Sequence, residues 1–168
     1  MPVEFIDNSI KIKAAINKAT IAALYEAAGE VESHAKRHCK MDGEIGTQLK
    51  GSYASVVNEN AGTAQIGSPL EAAYWEEFGT GEHAENGDGR KGWWVYVEGG
   101  SGYQGATNSY ASEPEATEMA AFIRAVYKVP AVATNGRKPA ATLRNAFDAN
   151  KNKIIKHFEE LLGGVGGE

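Results

Sequence analysis

The chain has 168 residues, 42% apolar and 23% charged, with a formal net charge of −5 and a mean hydropathy of −0.39. These values describe an ordinary globular protein, long enough to bury a core without disulfide or metal staples. A mildly acidic chain is repelled at long range by phosphate backbones, which argues against a general nucleic-acid binder. One cysteine, Cys39, excludes an intrachain disulfide. The start of the chain lacks a basic region followed by an apolar run, and no apolar stretch reaches membrane-spanning length. A reducing cytoplasm is the expected setting.

In chain order, Asn8 to His38 reads as a helix, with Leu24, Ala28, Val31 and Ala35 on one face and Ile12, Ile16, Ala19 and Ala23 extending the stripe backward. Met41 to Gly46 reads as a loop. Gln48 to Val57 reads as a strand, with Leu49, Tyr53 and Val57 sharing a face. Asn58 to Gly62 supplies a turn and Thr63 to Gly67 the returning strand, closed by Pro69. Leu70 to Phe78 is a short helix rich in aromatics. Gly79 to Gly92 is a loop, Trp93 to Val97 is the strongest strand signal, and Gly99 to Ala111 is a second long loop. Ser112 and Glu115 have the spacing of a capping box, opening a helix through Ala116, Met119, Ile123 and Tyr127 that Pro130 closes. The last helix is expected to open at Pro139, with Leu143, Phe147, Ile154, Phe158 and Leu161 on one stripe. The glycine-rich tail from Gly163 is expected to be non-helical and mobile. Leu24, Val31, Leu143, Phe147, Ile154 and Phe158 are the expected core. Strands and helices do not alternate, so the class is α+β in a single domain, with long N- and C-terminal helices packed on a small, mainly antiparallel sheet.

Candidate chemistry is thin. His34 and His38, at i and i+4, have the spacing to share a metal ion, but no second ligand pair accompanies them. Histidines in a last helical turn also suit the free carbonyls there, and that is the expected role. Cys39 lacks the local signature of a thiol nucleophile and reads as a packed or surface-neutral cysteine. Glu76, Glu77, Glu82 and Glu85 form no identifiable acid–base pair, and the default is a solvated acidic edge. Gly87 to Gly92 does not match a phosphate-binding loop. Arg90, Lys91, Arg137 and Lys138 are basic pairs without a recognition helix. Trp93 and Trp94 are consecutive in a strand and point to opposite faces, so one of them packs outside the main core layer, against a loop or a neighbouring subunit. Trp75 and Phe78 are expected to anchor their helix on the body of the domain, with Glu76 and Glu77 outward.

Four stretches together resemble a known family. Ala35-Lys36 followed by Gly46 to Ser52 is similar to an Ala-Lys … Thr-Gly-x-Leu-Arg-x-Ser pattern, with Gly and Thr in the opposite order here. Ala72 to Gly81 resembles Tyr-Ala-x-Tyr-Val-Glu-Phe-Gly-Thr-Gly. Gly89 to Tyr96 looks like a Gly-Trp-aromatic-Tyr strand. Thr134 to Pro139, with Leu143, Asn145 and Ala146, resembles a Gly … Pro-Phe … Ala entry into a last helix, without the Phe. The family is the phage head–tail joining (tail-completion) family that includes lambda-like minor tail protein Z, often called minor capsid or minor structural proteins. The resemblance spans residues 35 to 150 in pieces and leaves 99–130 as an apparent insertion that contributes an extra helix.

The resemblance implies a virion protein of a long-tailed bacteriophage, made in the host cytoplasm and placed in the neck. It implies a homo-oligomeric, typically sixfold ring that meets connector or stopper, tail terminator or tail tube proteins. DNA would only pass through the channel, and no membrane is involved. It implies no catalytic residue, no metal and no cofactor. Trp75, Glu77, Phe78, Gly79, Thr80, Trp93 and Trp94 are the candidate subunit or partner interface. A tail terminator capping the tail tube is the alternative position. An enzyme using the acidic loop and a nucleic-acid module using the basic pairs are the competing classes.

Overall fold

The computed structural model describes residues 9–97 and 108–164. The fold is α+β, with a long N-terminal helix, a C-terminal helix, small antiparallel sheets and further helices between them. The chain divides into two compact units, residues 74–141 forming one and the flanking segments together forming the other.

The first unit is built on α1 (Ser9–His38) and α5 (Thr142–Gly164). They run antiparallel, because His157 meets Glu26 at 2.8 Å, Lys153 pairs with Glu30, and the Asn150 amide donates to His34 Nδ1 at 3.2 Å. The centre of the contact is made of small residues, Ala28, Ala35 and Ala146 being fully or almost fully buried. Alanine lets two helices approach closely at little entropic cost. The hairpin of β1 (Ala54–Asn58) and β2 (Thr63–Gly67) pairs Asn58 with Thr63 at its closed end, as its turn chemistry predicts. Two side-chain bonds tie it to α1: the Ser55 hydroxyl donates to Glu32 at 2.7 Å, and the Tyr25 hydroxyl to Glu59 at 3.0 Å.

The expected strand from Gln48 is a correction. Gly43–Ser52 is a helix, α2, and β1 starts only at Ala54. Leu49 and Tyr53 are four residues apart, a spacing that fits period two and period 3.6 equally. The helix is decided by glycines: Gly43 adopts φ 71° after α1, and a Cβ on Gly46 would lie 2.1 Å from the Met41 carbonyl oxygen. That close approach sets Leu49 and Tyr53 into a core with Val31, Cys39, Met41, Ala72 and Ala73.

Phe147 is also a correction. Of the expected core, Val31 is buried, while Leu24, Leu143, Ile154 and Phe158 are half-buried and Phe147 is 50% exposed. Ala146 takes the central position on α5, and the next residue falls off the contact stripe. Phe147→Ala is therefore expected to cost about 1 kcal/mol, and Leu49→Ala about 3 kcal/mol, by lost burial and cavity formation. Urea denaturation of the two variants checks the order.

In the second unit, β3 (Trp94–Val97) pairs antiparallel with β4 (Ala131–Thr134), and α4 (Glu113–Tyr127) packs on them. Val95, Val97, Ala120, Ile123 and Ala131 form the core. The strand β4 is absent from the sequence reading, since four residues after Pro130 carry little periodic signal. The helix α4 thus shares one core with strands on both sides of the 99–130 segment. Its capping differs from the expected box. Ser112 holds the extended cap conformation but makes no side-chain cap bond, while Glu115 accepts from the Ala111 amide at 3.2 Å.

The helix α3 (Glu71–Phe78) stands where expected, and the loop after it contains one 3-10 turn, Gly81–His83. The last helix starts at Thr142 and not at Pro139. It runs to Gly164, so Gly163 and Gly164 are helical, a correction to the expected tail. Residues 165–168 and most of the expected Gly99–Ala111 loop lie outside the described residues. Among the described residues no helix is long and apolar enough to cross a membrane.

Candidate functional site

The site grows out of α3. Its buried residues are Ala72, Ala73, Glu76 and Glu77, at i, i+1, i+4 and i+5, and hence on one face. Tyr74 and Trp75 are exposed, and Phe78 is half-buried with its ring 4.9 Å from Tyr74. The expected orientation of this helix is therefore inverted: Glu76 is 0% and Glu77 7% exposed, whereas Trp75 is 37% exposed. A sequence reading sends the large aromatics inward on area grounds. Two alanines followed by two glutamates at helical spacing carried the opposite signal.

A buried carboxylate needs a partner. Glu76 has Arg137, whose guanidinium lies 3.1 Å from its Oε2. The surrounding backbone forms a dense joint between the 76–82 and 135–141 segments. The Thr80 amide donates to the Arg137 carbonyl at 2.9 Å, and the Arg137 amide donates to Thr80 Oγ1 at 2.9 Å. The Glu82 amide donates to the Asn135 carbonyl at 2.9 Å, and the Ala140 and Ala141 amides both donate to the Glu76 carbonyl. These bonds occupy the residues that would otherwise continue α5 backward, and Ala141 is left at φ 51°. That is why the helix opens at Thr142.

Glycine is required at this joint. Gly79 has φ 78°, and a Cβ there would lie 2.7 Å from the Arg137 carbonyl. Gly81 has φ 61°, and a Cβ there would meet the Asn135 carbonyl at 2.2 Å and Trp94 Cη2 at 2.5 Å. The Trp94 ring is half-buried and has the Arg90 guanidinium 5.0 Å above it. Arg90 also donates to Ser109 at 3.2 Å. Trp93 bridges Tyr110 through two backbone bonds. Of the candidate interface residues, Gly79, Thr80 and Trp94 meet at the joint, Trp75 is exposed beside it, and Trp93 lies one residue outside β3. Two of the four basic residues weighed for nucleic acid, Arg90 and Arg137, have intramolecular partners of their own.

The histidine pair is occupied locally. His38 Nδ1 donates to the His34 carbonyl at 3.0 Å, the two rings are 4.0 Å apart, and Cys39 lies in the core of the first unit. Among the described residues no group of three or more His, Cys, Asp or Glu side chains is arranged to hold a metal ion. Burial, with the nearby His38 and Arg37 charges, holds the His34 pKa below its usual value of 6.5. The folded state then binds fewer protons than the unfolded chain. His34 therefore contributes stability that is full above about pH 6.5 and is lost as pH falls through its lowered folded value. Wild-type stability should drop between about pH 7.5 and about pH 5.5, and His34→Gln should flatten that drop. Urea midpoints at the two pH values measure it.

Comparison with protein-family models, curated proteins and solved structures finds no match to this chain.

Proposed function

We propose that the protein is a structural component of a long-tailed bacteriophage, a ring-forming head–tail joining protein that completes the tail in the neck, and not an enzyme. One observation carries this reading beyond the sequence resemblance. Two of the stretches on which the resemblance rests, Ala72–Gly81 and Thr134–Pro139, lie far apart in the chain, yet their motif positions interlock. Glu76, Gly79, Thr80 and Gly81 from the first contact Asn135, Gly136 and Arg137 from the second. The motif is then explained as the code for a rigid joint, which suits a scaffold that must hold its shape under load. A heterologous contact repeated by rotation closes such a scaffold into a ring.

The purified chain is expected to form a closed homo-oligomeric ring, sixfold on the resemblance, in native mass spectrometry and negative-stain microscopy. Labelled protein is expected in the neck of the virion. A strictly monomeric chain rejects the reading, and label at the head-distal face of an isolated tail terminator position favours the tube-capping role instead.

A further inference from the structure

The α1 helix outruns its partner. The pairs Glu26 with His157, Glu30 with Lys153 and His34 with Asn150 fix the antiparallel register, and by that register Gly164 falls opposite about Ala19. Ser9–Lys18 therefore overhangs the described end of α5 by about 15 Å. Every residue of this arm is exposed, including Ile10, Ile12 and Ile16. Ile12 and Ile16 continue the stripe that leads to buried Ala23. The arm is also positive: Lys11, Lys13 and Lys18 are its only charged groups, and no acidic residue occurs from Ser9 to Tyr25.

The opposite combination occurs on α4. Glu115, Glu118, Phe122 and Val126 follow at i, i+3, i+7 and i+11, one helical face. Phe122 is 51% and Val126 54% exposed. Glu113, Glu115 and Glu118 precede them, and no basic residue occurs from Ala111 to Ile123. Arg124, the first, is turned to the sheet, where it donates to the Ala131 carbonyl at 2.6 Å.

We propose that the α1 arm of one copy docks on the outer face of α4 of a second copy, and that this is the repeating contact of the ring. The inference rests on the ring reading above and assigns its interface. Ile12 and Ile16 cover Phe122 and Val126, and the lysines meet the glutamates. Apolar contact supplies the affinity, and opposite charge fixes which face is chosen. An arm and a face on one chain make a heterologous pair, so every copy gives one and receives one.

The test uses two variants of the full chain: an arm variant, Ile12→Ser with Ile16→Ser, and a face variant, Phe122→Ser with Val126→Ser. All four positions are solvent-exposed, so helix content and melting temperature are expected to stay at wild-type values. Each variant alone is expected to lose the ring in native mass spectrometry. Mixed, they are expected to form a one-to-one heterodimer and stop there, because one intact arm meets one intact face and the remaining arm and face are both disabled. A second pair of variants covers any loss of folding: Lys11→Glu with Lys13→Glu, and Glu115→Lys with Glu118→Lys. Each is expected to weaken the ring, and all four changes in one chain to restore it. Rings that persist in the arm or face variant, or a mixture that stays monomeric, overturn this interface while wild-type rings leave the ring reading standing. A monomeric wild type overturns both.

Discussion

Arg137→Ala is expected to destabilise the protein by about 3 kcal/mol, because it takes the guanidinium away from a carboxylate that is 0% exposed. The arginine side chain is itself 38% exposed, so its own removal from water costs little, and most of the penalty falls on Glu76. The measurement is a two-state denaturation curve at neutral pH. Glu76→Gln in the same background is expected to recover part of the loss, since a neutral amide tolerates burial better than a carboxylate that has lost its neighbouring cation. Arg137→Lys is expected to fall between, as an ammonium cannot present the planar donor fork of a guanidinium. If Arg137→Ala leaves the denaturation midpoint unchanged, Glu76 is held by its other surroundings and the joint does not depend on the pair.

Gly81→Ala is expected to be more damaging still, about 4 kcal/mol, from two separate causes. The backbone sits at φ 61°, which is costly for a residue with a Cβ. The new methyl would also lie 2.2 Å from the Asn135 carbonyl oxygen and 2.5 Å from Trp94. Relieving either contact means moving β4's exit or the Trp94 ring, a packing strain of a further one to three kcal/mol, as an order of magnitude. Gly87→Ala is the internal control, because Gly87 has a similar φ of 71° but nothing within 4 Å of the added carbon. The difference between the two variants isolates the close approach from the backbone cost. Equal losses would mean that the 135–137 segment yields freely.

The parts of the fold legible in the sequence are those where one periodicity acts alone. The α1 helix follows from its alanine-rich stripe as far as His38, and the β1–β2 hairpin follows from Asn58 and Gly62. Three parts were not legible, each for a physical reason. In α2 the spacing of Leu49 and Tyr53 served two periodicities, and only the tight approach of Gly46 to Met41 decides between them. In α3 the rule that aromatics go inside fails, because the buried Glu76 carboxylate, paired with a part-exposed Arg137, takes that side of the helix. In α5 the start is set by the Glu76 carbonyl, which captures the Ala140 and Ala141 amides across more than sixty residues of sequence, as the pair's positions imply. Of the candidate interface residues, Gly79 and Thr80 carry a local glycine signal. Arg137 looked like one of several surface cations, and nothing near it in sequence announces its partner.

The bonds from Ala140 and Ala141 to the Glu76 carbonyl also bear on how the chain reaches its native state. They close the 74–141 unit at its own base, so that the polypeptide leaves and returns at one point. Bringing α5 back to α1 otherwise requires closing a long loop, whose entropic cost is met before any contact across it is gained. Once the base is clipped, the two flanking segments are effectively neighbours along the chain. Closure of the 74–141 loop should then precede the pairing of the long helices, and amides at 140 and 141 should gain hydrogen-exchange protection during refolding before those of α5.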